Sequence, residues 1–357
     1  MTNFEILDTK KSTQWNEYLA RLPIEQQDIY FTPEYYKLYE ELNDGQAKCF
    51  IFEKDESLAL YPFLENSVNC LNYSLDKENY DIQGAYGYNG IVSSTRDQGF
   101  INEFYRTFFH FCNENNIIAE FVRFHPFLEN ESFSRNNMTV IKDRETVGID
   151  LTKDYSDIWV SEYTSKNRNM IRKAIKHGYK LEILNNPKAD DLDRFIEIYY
   201  NSMLAVNAEQ YYFFKRYYFT NIFKYMSKNA FLFNVVDPAC GVICAAIFFK
   251  YGNYFHYHLS GRKNDSDNSV NNFLIDRALD FAKKEGAKFF HLGGGRSTSP
   301  DDTLLKFKKN FSKQTLPFYI GKKIHNQSIY NQVTEQWSYK YPEKVESYKN
   351  YFLKYRY

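Results

Sequence analysis

The sequence has no excess of either charge: 45 Lys and Arg stand against 45 Asp and Glu in 357 residues. A neutral chain exerts no overall pull on a polyanion, so DNA binding is not expected, and contact with RNA would need a local basic patch. Cysteine is scarce as well. The five, Cys49, Cys70, Cys112, Cys240 and Cys244, are odd in number and follow no framework spacing. That excludes a disulfide scaffold and fits reduced thiols. No stretch is long and apolar enough to span a bilayer, and the opening "MTNFEILDTK" does not read as a signal peptide. These absences point to a soluble, cytoplasmic protein without a transmembrane segment.

What is abundant is aromatic. Tyr and Phe number 32 each, enough for two cores, and the length suits two domains. The chain also states its pattern twice. A helix "TPEYYKLYEEL" leads to the strand pair "KCFIFEKDESLALYPFLE", a segment "YDIQGAYGYNGIVSS", a helix "FINEFYRTFFHFCNENN" and a strand "IIAEFVRFHP". Later, helical "DLDRFIEIYYNSML" and "YYFFKRYYFTNIFKYMSKN" precede the strand pair "AFLFNVVDPACGVICAAIFFK", the strand "NYFHYHLSGR", the helix "SVNNFLIDRALDFAKKEG" and the strand "AKFFHLGGG". A repeat of this length indicates duplicated mixed α/β domains rather than a solenoid. The expected division is 1–148, 149–330 and a helical tail 331–357.

Between the copies, Met170, Ile171, Ala174 and Ile175 recur at helical spacing, and Gly178 suits the left-handed position after a helix end. Lys166, Arg168, Arg172, Lys173 and Lys176 load this helix with positive charge, against which a phosphate-rich ligand could lie.

Gly293, Gly294 and Gly295 end an apolar strand. They match neither a P-loop nor a dinucleotide loop, because Ser299, Pro300 and Asp301 intervene before the next helix. The remaining readings are a flexible strand exit or a backbone kept bare for close approach by a substrate. Asp301 or Asp302 would cap the helix that follows, which carries Lys306, Lys308 and Lys309. In "YFHYHLSGR", strand alternation places Tyr254, His256, His258 and Ser260 on one face, as cleft lining or as satisfied core. Two histidines without a third ligand at a recognisable spacing do not make a metal site, and none is expected.

The duplicated unit, "RNMIRKAIKHG", "FLIDRALDFAKKEGAKFFHLGGG" and "LLKFKKNF" together resemble the FemAB family, peptidoglycan-bridge aminoacyltransferases built from two tandem GNAT-like (N-acyltransferase-like) domains. The likeness runs from about Tyr30 to about Tyr330. It implies acyl transfer from an aminoacyl-tRNA donor to an amine of a cell-envelope precursor, with no cofactor. It places the family's Phe-Lys pair on Phe307 and Lys308, the lysine opposite the developing oxyanion and the aromatic beside the donor. Under that reading the bare glycine backbone would lie against the donor's acyl group, and the positive charge of Arg168, Arg172 and Lys173 on a neutral chain would meet the donor's phosphates. The alternatives are an acyl-CoA-dependent N-acetyltransferase acting on an amino sugar, for which "SGRKNDSDNSVNNFLI" offers Arg262 without the usual glycines, and a twin-GNAT binding module without activity.

Overall fold

The computed structural model describes residues 3–299 and 301–357. It divides into two units, residues 1–143 with 318–357, and residues 144–317. Both are mixed α/β, as expected, and both repeat one strand plan.

In the first unit, strand Asn3–Asp8 pairs antiparallel with Gln46–Lys54, which forms a hairpin with Ser57–Ser67. Ser57–Ser67 pairs antiparallel with Tyr80–Gln83, and that strand lies parallel to Ile117–Arg123. The parallel pair requires a crossover, which the helix Gln98–Glu114 supplies. Asp97 begins this helix by accepting the Phe100 amide at 2.8 Å. Its Phe100, Phe104, Phe108 and Phe111 form one apolar stripe packed on Phe50, Phe52, Tyr61 and Phe63 of the hairpin. Burying each such ring contributes about 1.5–3 kcal/mol.

The second unit repeats the order. Strands Lys180–Leu184, Ala230–Asp237, Gly241–Tyr251 and Tyr254–Arg262 form an antiparallel run. Tyr254–Arg262 then lies parallel to Phe289–Gly294 across the helix Ser269–Lys284. The core sits between that helix and the sheet, with Phe233, Phe248, Phe255 and Phe290 facing Leu274, Ala278 and Leu279. The basic helix, Ser165–Lys176, packs on the same crossover helix through Ile171 and Ala174.

The sixth strand departs from a simple duplication. In the first unit it comes last in the chain, from the Phe318 side of Thr315–Ile324, antiparallel to Ile117–Arg123. In the second it comes first, from the Arg144 side of Thr139–Asp150, antiparallel to Phe289–Gly294. The expected boundaries at 148/149 and 330/331 are therefore drawn instead at 143/144 and 317/318.

Nor is the C-terminus a separate tail. Helix Gln327–Lys340 buries Val333 and Trp337 against Val68, Ile118 and Tyr355 of the first unit. Arg356 Nε donates to both oxygens of Asp81, at 2.9 and 2.7 Å, and Asp81 is fully buried. Among the described residues, no helix is long and apolar enough to cross a membrane.

Candidate functional site

The parallel pairing of Tyr254–Arg262 with Phe289–Gly294 is short. It runs from Tyr254 and Phe289 to His256 and His291, after which the two strands separate. Beyond that point one strand offers Tyr257 and Ser260, and the other offers the glycines. A six-residue helix, Thr303–Lys308, delivers a lysine into this opening.

The helix starts on Asp302, whose carboxylate accepts the Leu305 amide at 2.8 Å and the Arg296 and Ser297 amides at 2.8 and 2.9 Å. Burial pushes this carboxyl up, but the amide donors outweigh it and hold Asp302 down at about 2. Asp302 thus fixes the loop and the helix start together. Within the helix Lys308 is the buried residue, while Leu304, Leu305 and Phe307 are half-buried. A helix that buries its lysine ahead of its leucines is set up for something other than core filling.

Lys308 Nζ donates to the Gly294 carbonyl at 2.7 Å and stands 5.9 Å from the centre of the Tyr257 ring. Burial lowers its ammonium to about 7, with the Asp302 carboxylate opposing in part. The residue therefore carries both protonation states near neutral pH.

The glycines are each bare toward a specific neighbour. Gly293 has φ +77°, and a Cβ there would lie 3.2 Å from Lys308 Nζ. A Cβ on Gly294 would meet the Glu145 carbonyl at 3.0 Å, and one on Gly295 would meet Asp302 Oδ1 at 2.5 Å. The close approaches are made by the protein's own groups, and the ammonium is one of them. Phe307 packs edge-on to Phe311 at 5.4 Å and joins the core of the second unit.

His256 and His258 are not brought to Lys308. Tyr257 pairs with Phe248 and Leu259 with Ile247, which leaves His258 as the extra residue of a bulge. Strand alternation is broken there, so Ser260 joins Tyr257 on the Lys308 face and leaves the histidine face. The His258 ring packs against Phe249 at 4.5 Å, tilted by 41°, and lies 3.0 Å from the Tyr218 hydroxyl. Burial, and then His256, lower it to about 3, so it is neutral. His256 is buried edge-on to His291 at 5.6 Å.

The basic residues are engaged locally. Arg168 donates to the Tyr163 and Trp159 carbonyls at 2.5 and 3.1 Å, satisfying the end of the π-helical turn Ile158–Glu162. Arg172 lies over the Trp159 ring at 5.5 Å. Lys173 pairs with Asp267 at 2.5 Å, and Asp267 also accepts the Ser269 amide at the start of the crossover helix. Arg262 donates to the Ser266 carbonyl at 2.9 Å, closing its own loop. Lys166 and Lys176 are exposed. Tyr257, whose ring lies 5.9 Å from the Lys308 ammonium, was missed, because strand alternation set it on the face opposite His256 and His258.

Comparison with known proteins bears on the fold that carries this site. A family model described as "Acetyltransferase (GNAT) domain" matches residues 165–308, ending on the buried lysine. The chain is 24% identical over 200 residues to UDP-N-acetylmuramoylpentapeptide-lysine N(6)-alanyltransferase of Weissella viridescens. That match covers 55% of this chain and 57% of the enzyme, little more than half of its length. In fold, the chain resembles the crystal structure of FemX with a TM-score of 0.69 at 13% identity, covering 92% of this chain and 99% of that one. L-PGS from Bacillus licheniformis gives a TM-score of 0.51 at 12% identity over 77% of this chain and 83% of that one.

Proposed function

We propose that this FemAB-like twin-GNAT chain is an N-acyltransferase. It moves an aminoacyl group from an aminoacyl-tRNA ester to an amine of a peptidoglycan or other cell-envelope precursor. The observation that supports it most is Lys308, an ammonium buried where two parallel strands part and held on the Gly294 carbonyl. The alanyl transfer named for the Weissella relative is a reaction of this kind.

In such a transfer the acceptor nitrogen attacks the ester carbonyl, a C–N bond forms, and the C–O bond to the ribose breaks. The negative charge gathers first on the carbonyl oxygen and then on the leaving oxygen, which takes the proton released by the amine. Positioning and a cation opposite the oxyanion suffice, and no covalent nucleophile is needed. Lys308 is the group that supplies the cation, with Asp302 holding its helix in place.

The GNAT acetyltransferase match favours a second reading, transfer from acyl-CoA to an amino sugar. A pyrophosphate would be expected at the start of the crossover helix. There the Asp267 carboxylate already takes the Ser269 amide, and Arg262 is bonded to Ser266. The ester donor is therefore preferred. The deciding experiment incubates the chain with charged tRNA or with acetyl-CoA and follows acylated envelope precursors by mass spectrometry. Product with acetyl-CoA alone would overturn the tRNA assignment.

A further inference from the structure

Three side chains that the transfer chemistry does not use converge inside the first unit. Cys112 comes from the last turn of helix Gln98–Glu114, Glu120 from strand Ile117–Arg123, and His325 from the residue after strand Thr315–Ile324. All three are sealed from solvent: Cys112 and Glu120 are fully buried, and the His325 side chain is 1% exposed. His325 Nε2 lies 2.9 Å from Glu120 Oε2. One sulfur, one ring nitrogen and one carboxylate oxygen from the three lie within 4.8 Å of one another.

The cluster is not satisfied by its own hydrogen bonds. Glu120 Oε1 is buried without a hydrogen-bond partner. A buried carboxylate with an unmet oxygen is unfavourable, and either a donor or a cation would relieve it. The rings of Phe108 and Phe109 stand 6.5 and 5.4 Å from the His325 ring and close the site on that side.

We propose that Cys112, Glu120 and His325 form a structural zinc site. A thiolate, an imidazole and a carboxylate are the donor set that zinc accepts and that magnesium and calcium do not. Glu120 closes the coordination through its second oxygen. The charges of the thiolate, the carboxylate and the ion sum to zero, which suits an apolar surround. The site is closed rather than open to substrate, so its role is to fasten the end of the strand Thr315–Ile324 to the helix Gln98–Glu114 and the strand Ile117–Arg123.

The test uses the full chain, reduced, stripped with chelator, reloaded with zinc or with cobalt alone, and desalted. The expected result is equimolar retained metal and, with cobalt, a near-ultraviolet thiolate charge-transfer band beside the visible bands of a tetrahedral ion. Cys112→Ser should abolish the thiolate band and the retained zinc, Glu120→Gln should weaken retention, and Cys240→Ser should change neither. A wild-type chain that elutes free of metal, or a cobalt spectrum lacking the thiolate band, overturns the site however the variants fold. A thiolate band unchanged in folded Cys112→Ser also overturns it.

Discussion

Tyr257 donates its hydroxyl to Ser260 Oγ, although the two residues are three apart on one strand and would alternate to opposite faces. The unpaired His258 between them makes the difference. One extra residue turns the strand's later half over and brings Ser260 to the face of Tyr257, whose ring lies 5.9 Å from the Lys308 ammonium, while both histidines stay on the other face.

Lys308→Ala is expected to lower turnover by roughly 10²–10³-fold with the fold intact, the usual effect of removing one oxyanion donor. Lys306 and Lys309 pair with Asp301 and Glu145 at 2.7 and 3.1 Å on the surface. Exposed pairs contribute about 0–1 kcal/mol, so alanine at either position should leave turnover near normal. Single-turnover rates of the three variants measure this, and normal activity in Lys308→Ala would remove its role.

The pH dependence has a defined sign. Burial lowers Lys308 from 10.5 to about 7, so between those values the unfolded chain holds a proton that the folded chain releases. Stability therefore rises with pH across that window, and the cost of burying the charge is fully present below about 7. Lys308→Met should raise Tm, and by more at pH ~6 than at pH ~9. If the ammonium is the working form, wild-type kcat falls as pH rises through about 7, and that limb is absent in Lys308→Ala. A kcat that instead rises through this range would assign Lys308 as a base.

Gly293→Ala and Gly286→Ala separate backbone strain from crowding. Both glycines have positive φ, +77° and +73°, but only Gly293 has the Lys308 ammonium within 3.2 Å of a new Cβ, while Gly286 has open space. Each substitution should destabilise by about 1–3 kcal/mol. Only Gly293→Ala should also lower kcat, and equal activity losses in the two would argue against a packed ammonium at the strand end.

The proposed tRNA donor has its test on the basic helix. Arg168→Glu removes donors from the Tyr163 and Trp159 carbonyls and should cost roughly 1–3 kcal/mol of stability. The exposed Lys166 and Lys176 are the cleaner probes. Lys166→Glu with Lys176→Glu should weaken tRNA binding and flatten its salt dependence by about 0.7–0.9 in log–log slope per lost phosphate contact. Anisotropy titrations across salt that leave affinity and slope unchanged would take the RNA off this helix.

Much of this was legible beforehand. The aromatic stripe of Phe100, Phe104, Phe108 and Phe111 and the two hairpins follow directly from helical and strand periodicity. The Phe307 and Lys308 pair was singled out by resemblance, since three lysines in four positions look alike on any helix. The bulge was not legible, because alternation is only a default and nothing in "YFHYHLSGR" marks His258 as the extra residue. Arg168 read as free charge because its acceptors are backbone carbonyls, which every residue has. Glu120 and His325 are 205 positions apart, a separation that no motif spacing spans.

The exchanged sixth strands also set an order of manufacture. A ribosome releases the strands Asn3–Asp8 to Ile117–Arg123 of the first unit early, but the strand that completes its sheet begins only at Phe318, after the whole second unit has emerged. The edge of Ile117–Arg123 and the surface later covered by Trp337 must wait uncovered through that interval. The half of the molecule that is begun first is finished last. Chains stalled or clipped before Phe318 would present a sticky strand edge, with chaperone demand and aggregation as the cellular signature.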